Sequence, residues 1–211
     1  MSVPASALTD LPSQDYAALR NMVQTGDIAL ASGSALFSRA IRIATASPWS
    51  HVAIIVKIAG FDSAMVMEAV EKVGVRMVPL SRFVLEDSSH HRPFPGDIVI
   101  ARHDRFAELA TPERIDAMIE FAIDRLGSPF QASEMAKIGL RVAAGWFGVM
   151  MPRALESDDE FICSEYVARC YDHVGITIPW NHHGFIAPAD FAGDPHIQAV
   201  ARVSRTPFPA T

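Results

Sequence analysis

The feature that most constrains this chain is the run His51–Ile58, HVAIIVKI, whose β-branched residues make it the strongest strand signal in the sequence. Two more candidate strands follow at 64–70 and 73–80, across the breaks Gly60-Phe61-Asp62 and Glu71-Lys72. Breaks this short leave no room for a crossover helix, so the three strands are expected to be antiparallel neighbours. A turn at Pro95-Gly96 opens another strand, Asp97–Arg102, and Gly26-Asp27-Ile28-Ala29-Leu30 opens an earlier one. The stretches GDIALA and GDIVIA echo each other as two starts of strands, with no constant period around them.

Helical spacing fills the rest. Residues 13–25 are expected as an N-terminal helix capped by Ser13, with Tyr16, Leu19, Met22 and Val23 on one face and Gly26 at its end. Residues 34–46 repeat Leu36, Ala40, Ile43 and Ala44 at helical intervals, with Arg39 and Arg42 between them. Thr111-Pro112-Glu113 is a strong start signal, and Ile115, Met118, Ile119, Ala122, Ile123 and Leu126 keep one face apolar up to Gly127. A weaker helix over 131–150 is interrupted by three glycines; a firmer one runs from Cys163 to Gly175; residues 179–194 read as loop. The fold class is α+β, a small antiparallel sheet with helices packed against it.

With 211 residues, half of them hydrophobic and a fifth charged, the chain can bury a full core and is not disordered. One domain over 1–211 is expected, its core at about 26–191. The net charge of −6 and a pI near 5.7 exclude the basic footprint of a nucleic-acid binder. Cys163 and Cys170 lie two helical turns apart, roughly 10 Å, too far for a disulfide. No paired-thiol metal spacing exists. The N-terminus lacks the basic and apolar regions of a secretory signal, and the apolar tract 139–151 is interrupted by Arg141 and too short to span a bilayer. These features point to a cytoplasmic protein without a transmembrane segment.

Chemistry centres on Cys163. A thiol at a helix start faces unpaired backbone N–H groups and the positive end of the dipole, which favour the thiolate. The plainer alternative is a small buried hydrophobe, which suits Cys170 well. A nucleophilic thiol needs a base, and the base an orienting group. His51, first on the best strand, is the candidate base; Glu68 on the next strand is the candidate orienting carboxylate, with Glu71 competing. Counted from a turn near residues 60–62, His51 and Glu68 are out of level by about three residues, so a bulge or a longer loop is expected to align them.

The ordered set G-D-I-A-L, S-H-V-A-I-I, M-E-A with G-V-R-M-V-P-L, and F-I-C-S-E-Y-V-A-R-C resembles the permuted papain-like amidases of the YaeF/YiiX type. These are circularly permuted relatives of the NlpC-type cysteine peptidases, related to the lecithin:retinol acyltransferase-like proteins. Histidine before cysteine is the permuted order, and Ile186-Ala187-Pro188-Ala189-Asp190-Phe191 is similar to the family's tail motif. The resemblance implies a permuted papain-like fold with Cys163 as nucleophile, His51 as general base and later acid, Glu68 orienting the imidazole, and the Cys163 backbone N–H as an oxyanion donor. It implies a cysteine amidase or peptidase acting on a small peptide or amino-acyl amide through a thioester, with no metal or organic cofactor. One departure is Phe130 in Gly127-Ser128-Pro129-Phe130, where NlpC-type enzymes often carry a tyrosine. Two alternatives stand beside this: a lipid-directed acyltransferase or lipid hydrolase using the same triad with residues 139–151 as chain-binding wall, and a catalytically idle binding module. The acidic run 157–160 and the pairs His90-His91 and His182-His183 read as surface loop. Trp146, Phe147, Met150 and Met151 read as core or as a substrate wall.

Overall fold

The computed structural model describes residues 3–34, 36–58, 60, 63–71, 73–85, 96–130, 162–179 and 186–204. Among these, seven strands form one sheet: β1 (Ser13–Gln14), β2 (Ile28–Gly33), β3 (His51–Lys57), β4 (Ala64–Val70), β5 (Gly74–Pro79), β6 (Gly96–His103) and β7 (Ile197–Val203). Their spatial order is β1-β7-β6-β2-β3-β4-β5. Every neighbouring pair is antiparallel except β1 with β7. The helices are α1 (Ala7–Asp10), α2 (Tyr16–Met22), α3 (Leu36–Ala44), α4 (Leu80–Leu85), α5 (Phe106–Leu109), α6 (Pro112–Asp124), α7 (Cys163–His173) and α8 (Pro188–Gly193). The architecture is α+β.

The central strand β3 is apolar on both faces because each face carries its own core. Val52, Ile54 and Val56 join Met67 and Ala69 of β4 beneath Met118 and Ala122 of α6 and Tyr166, Val167 and Tyr171 of α7. Ala53 and Ile55 join Val66 beneath Leu19 and Val23 from the α2 region and Leu80, Phe83 and Val84 of α4. The two buried tyrosines keep their hydroxyls satisfied: Tyr166 donates to the Ala122 carbonyl at 3.0 Å and Tyr171 to that of Gly26 at 2.7 Å.

The first Gly-Asp pair has a structural task. Buried Asp27 takes a forked bond from Arg102 (Nε to Oδ1 2.6 Å, Nη2 to Oδ2 2.8 Å) and a third from the Gln24 amide at 2.8 Å, tying β2 to β6. Gly26 turns into β2 with φ +89°, and a Cβ there would collide with the Phe106 ring. Gly26→Ala should therefore cost about 2 to 4 kcal/mol, from left-handed strain plus overpacking, as a lowered urea midpoint.

Several expectations change. The N-terminal helix is not 13–25: Ser13 and Gln14 pair with β7, and α2 begins after Asp15, whose carboxylate accepts from the Ala18 amide at 2.9 Å. Asp15 is the cap because Ser13 is already committed to the sheet. The strand expected over 73–80 ends at Pro79, and Leu80 instead opens α4. The stretch expected as loop after residue 179 contains α8, where Pro188 opens the helix and Asp190 accepts from the Ala187 amide at 2.7 Å. The sheet is larger than expected because β1 and β7, from the two ends of the chain, extend it beyond β6. Ile43 of α3 is 68% exposed, so the apolar repeat of that helix is not wholly buried. The expected helix 131–150, the acidic run 157–160, the paired histidines and the Trp146–Met151 cluster lie outside the described residues.

Candidate active site

His51 is the first residue of β3, opposite Ala31 of β2, and the preceding amide of Ser50 donates to the Ala31 carbonyl at 2.9 Å. The imidazole is therefore mounted on a strand end held by β2 rather than on a loop. Cys163 is the first residue of α7. The residue before it, Ile162, is extended and supplies no side-chain cap, which leaves the first-turn amides available to another acceptor. Ser164 fastens this turn by donating from Oγ to the Ile186 carbonyl at 2.7 Å.

The β3–β4 ladder runs from Lys57↔Ala64 to Ile54↔Met67 and stops there. Alternation along β3 sends the Ile55 amide to Asp27 on the β2 side, so the Val52 amide faces the β4 side. Beyond the end of the ladder it donates to Cys163 instead of to a strand. The sulfur thus occupies the place where strand pairing has ceased, next to His51.

Extended in the same register, the ladder would set Glu68 opposite Ala53, on the face shared by His51 and two residues along. Of the two expected ways to level them it is the longer loop that occurs, a six-residue connection over 58–63 with no bulge in the pair: the true offset is two residues, the diagonal spacing that a glutamate side chain spans. Glu68 Oε2 lies 2.6 Å from His51 Nε2. Glu71 is exposed, so Glu68 is the carboxylate that meets the ring.

The second Glu68 oxygen is taken by a residue that sequence reading missed. Arg76, directly opposite Glu68 in the β4–β5 ladder, donates to Oε1 from Nε at 2.9 Å and from Nη2 at 2.5 Å. The signal was available in G-V-R-M-V-P-L as a charge on a half-buried strand, but pairing it with Glu68 requires the register Val70↔Gly74, closed by a three-residue connection.

Electrostatics follow from this chain of contacts. Burial alone would lower the His51 pKa, but the charge and hydrogen bond of Cys163, joined by those of Glu68, push it up to about 10. Burial likewise opposes ionisation of Cys163, yet His51 and the amides of Val52 and Ser164 hold the thiol below its usual range. Glu68, nearly inaccessible, is held below the ordinary carboxylate range by His51 and Arg76 against the cost of burial. With Nε2 of the ring engaged by Glu68, Nδ1 is the nitrogen left to the sulfur. Cys170, one helix face later, is free and buried, and burial pushes its thiol far up.

Phe130 is partly buried against the core beneath α7 and has no hydroxyl to offer a substrate. Glu165 is buried and its Oε1 lies 3.6 Å from Arg169 Nη2. Among the described residues no group of three or more His, Cys, Asp or Glu could hold a metal ion.

Residues 22–201 are matched by the family model of permuted papain-like amidase enzymes, YaeF/YiiX, C92 family. The chain belongs to this family. The crystal structure of the metalloprotein YiiX from Escherichia coli O157:H7 shares the fold of this chain, with TM-score 0.58 and 21% identity over 85% of this chain and 97% of that one. Among proteins with curated descriptions none matches the chain. No helix among the described residues is long and apolar enough to cross a membrane.

Proposed function

We propose that the protein is a cysteine hydrolase that cleaves an amide bond in a small peptide or amino-acyl substrate, with Cys163 as nucleophile, His51 as acid and base, and Glu68 orienting the ring. The observation that carries this reading is the continuous contact Cys163–His51–Glu68–Arg76, which favours thiolate beside imidazolium. The thiolate attacks the carbonyl carbon, forming a C–S bond while the carbonyl electron pair moves to oxygen. The Cys163 backbone N–H, at the dipole-positive start of α7, faces that oxyanion. As the tetrahedral species collapses, the C–N bond breaks and His51 gives its proton to the departing amine. Neutral His51 then takes a proton from water, which attacks the thioester carbonyl; the acid leaves and the ion pair is restored. Arg76 acts as a positioning residue by fixing the charge and direction of Glu68.

Iodoacetamide tests the reading directly. Alkylation of Cys163 should stay fast as pH falls well below 9, the range in which an ordinary thiol fades, and at pH 6 should exceed that of free cysteine by about tenfold or more. Buried Cys170 should alkylate only on unfolding. A Cys163 rate that follows an ordinary thiol, or equals that of Cys170, would support the idle binding module. Turnover should be bell-shaped in pH: it rises through the depressed Cys163 value and falls as His51 loses its proton near 10. The apolar stretch 139–151 required by the lipid-directed alternative lies outside the described residues.

A further inference from the structure

Beside this site lies an open cleft of about 770 Å³ formed by α3 and the segment leading into β3. Its charged lining is of one sign: Arg39 and Arg42, one helical turn apart, with Ile43, Ala46 and Pro48 as apolar wall and Ser34 at the rim. Among the described residues no carboxylate lines it, although the whole chain carries −6. Among the described residues neither arginine is in an ion pair. Arg42 is held in place by its Nη1 bond to the Gly33 carbonyl at 3.2 Å, while its Nε is buried without a hydrogen-bond partner. Two guanidinium groups on one wall present positive charge and forked N–H donors to an oxyanion entering the cleft.

The cleft is adjacent to the proposed chemistry. Pro48 is three residues before His51, so their Cα atoms are at most about 11 Å apart, the reach of an extended tripeptide. On the other side, Ala44 of α3 packs on Ala187, the neighbour of Ile186, whose carbonyl holds Ser164 next to Cys163.

We propose that this cleft is a substrate subsite for an oxyanionic group, carboxylate or phosphate, attached through a short apolar segment to the acyl group that meets Cys163. The proposal rests on the hydrolase reading for the identity of the bound molecule as substrate, and its test does not use turnover. The full chain carrying Cys163→Ala is titrated calorimetrically with two matched pairs: trialanine against trialanine amide, and dihexanoylphosphatidic acid against dihexanoylglycerol. In at least one pair the anion should bind about tenfold or more tightly than its uncharged partner, and that pair identifies the source as a peptide carboxylate or a headgroup phosphate. Arg42→Gln and Arg39→Gln should each remove most of that preference. Equal binding of charged and uncharged members in both pairs, or no binding of either anion, overturns the proposal; so does a preference that survives the arginine variants. Arg39 is exposed, so Arg39→Gln keeps the test decisive if Arg42→Gln does not fold. Rapid alkylation of Cys163 beside a cleft indifferent to charge would sink the subsite alone; a charge-selective cleft beside an inert Cys163 would sink the hydrolase reading alone.

Discussion

Cys163→Ala should abolish amide hydrolysis, a loss of at least about 10⁴-fold in kcat, while moving the stability by no more than about 1 kcal/mol. The two effects separate because the sulfur is one atom in a site otherwise held by backbone and by the Ser164–Ile186 bond. The same variant carries an independent spectroscopic readout. Burial lowers the His51 pKa and the thiolate is the chief influence raising it, so without the sulfur the imidazole should titrate well below the value near 10 that it has beside Cys163. NMR titration of the ring protons checks this. A large fall in the denaturation midpoint with little change in the His51 titration would show that Cys163 is a core residue and not a partner of the imidazole.

Arg76→Met should act on stability and on the pH profile together. It leaves the Glu68 carboxylate buried with only one of its two partners, and removing one member of a buried ion pair costs about 3 kcal/mol, the lower end of the usual range because Arg76 is partly exposed. The sign with pH follows from the depressed Glu68 value. Its contribution to stability is complete above the ordinary carboxylate pKa and is lost as pH falls through the folded value; without Arg76 the folded value rises, so acid unfolding should begin at higher pH. Turnover should fall on the order of 10- to 100-fold, with the bell narrowed from both sides, because a less ionised Glu68 supports the imidazolium less. Arg76→Lys should restore part of the profile, since it returns the charge without the fork. An unchanged pH profile with lowered stability would make Arg76 a structural residue only.

Much of the sheet was legible in the sequence because its signals are local. The β-branched run 51–58 and the short breaks after it give β3, β4 and β5 as antiparallel neighbours, and Thr111-Pro112 marks the start of α6 to the residue. The ends of the chain were not legible, since β1 and β7 are short or weakly patterned and gain their hydrogen bonds only from each other and from β6. The helix start at Asp15 was missed for the same reason: local capping preference favoured Ser13, and a tertiary strand pairing claimed it.

Residue types and chain order alone determined that this protein has a thiol at a helix start, an imidazole at a strand start, and a carboxylate on the following strand. They did not determine that these groups meet. That depended on a ladder that ends at Ile54↔Met67, on a diagonal rather than level pairing of His51 with Glu68, and on an arginine brought opposite Glu68 by the length of a turn. Propensity acts over neighbouring residues, whereas a hydrogen bond between side chains is decided within a few tenths of an ångström by register and strand splay, which only the packed structure fixes.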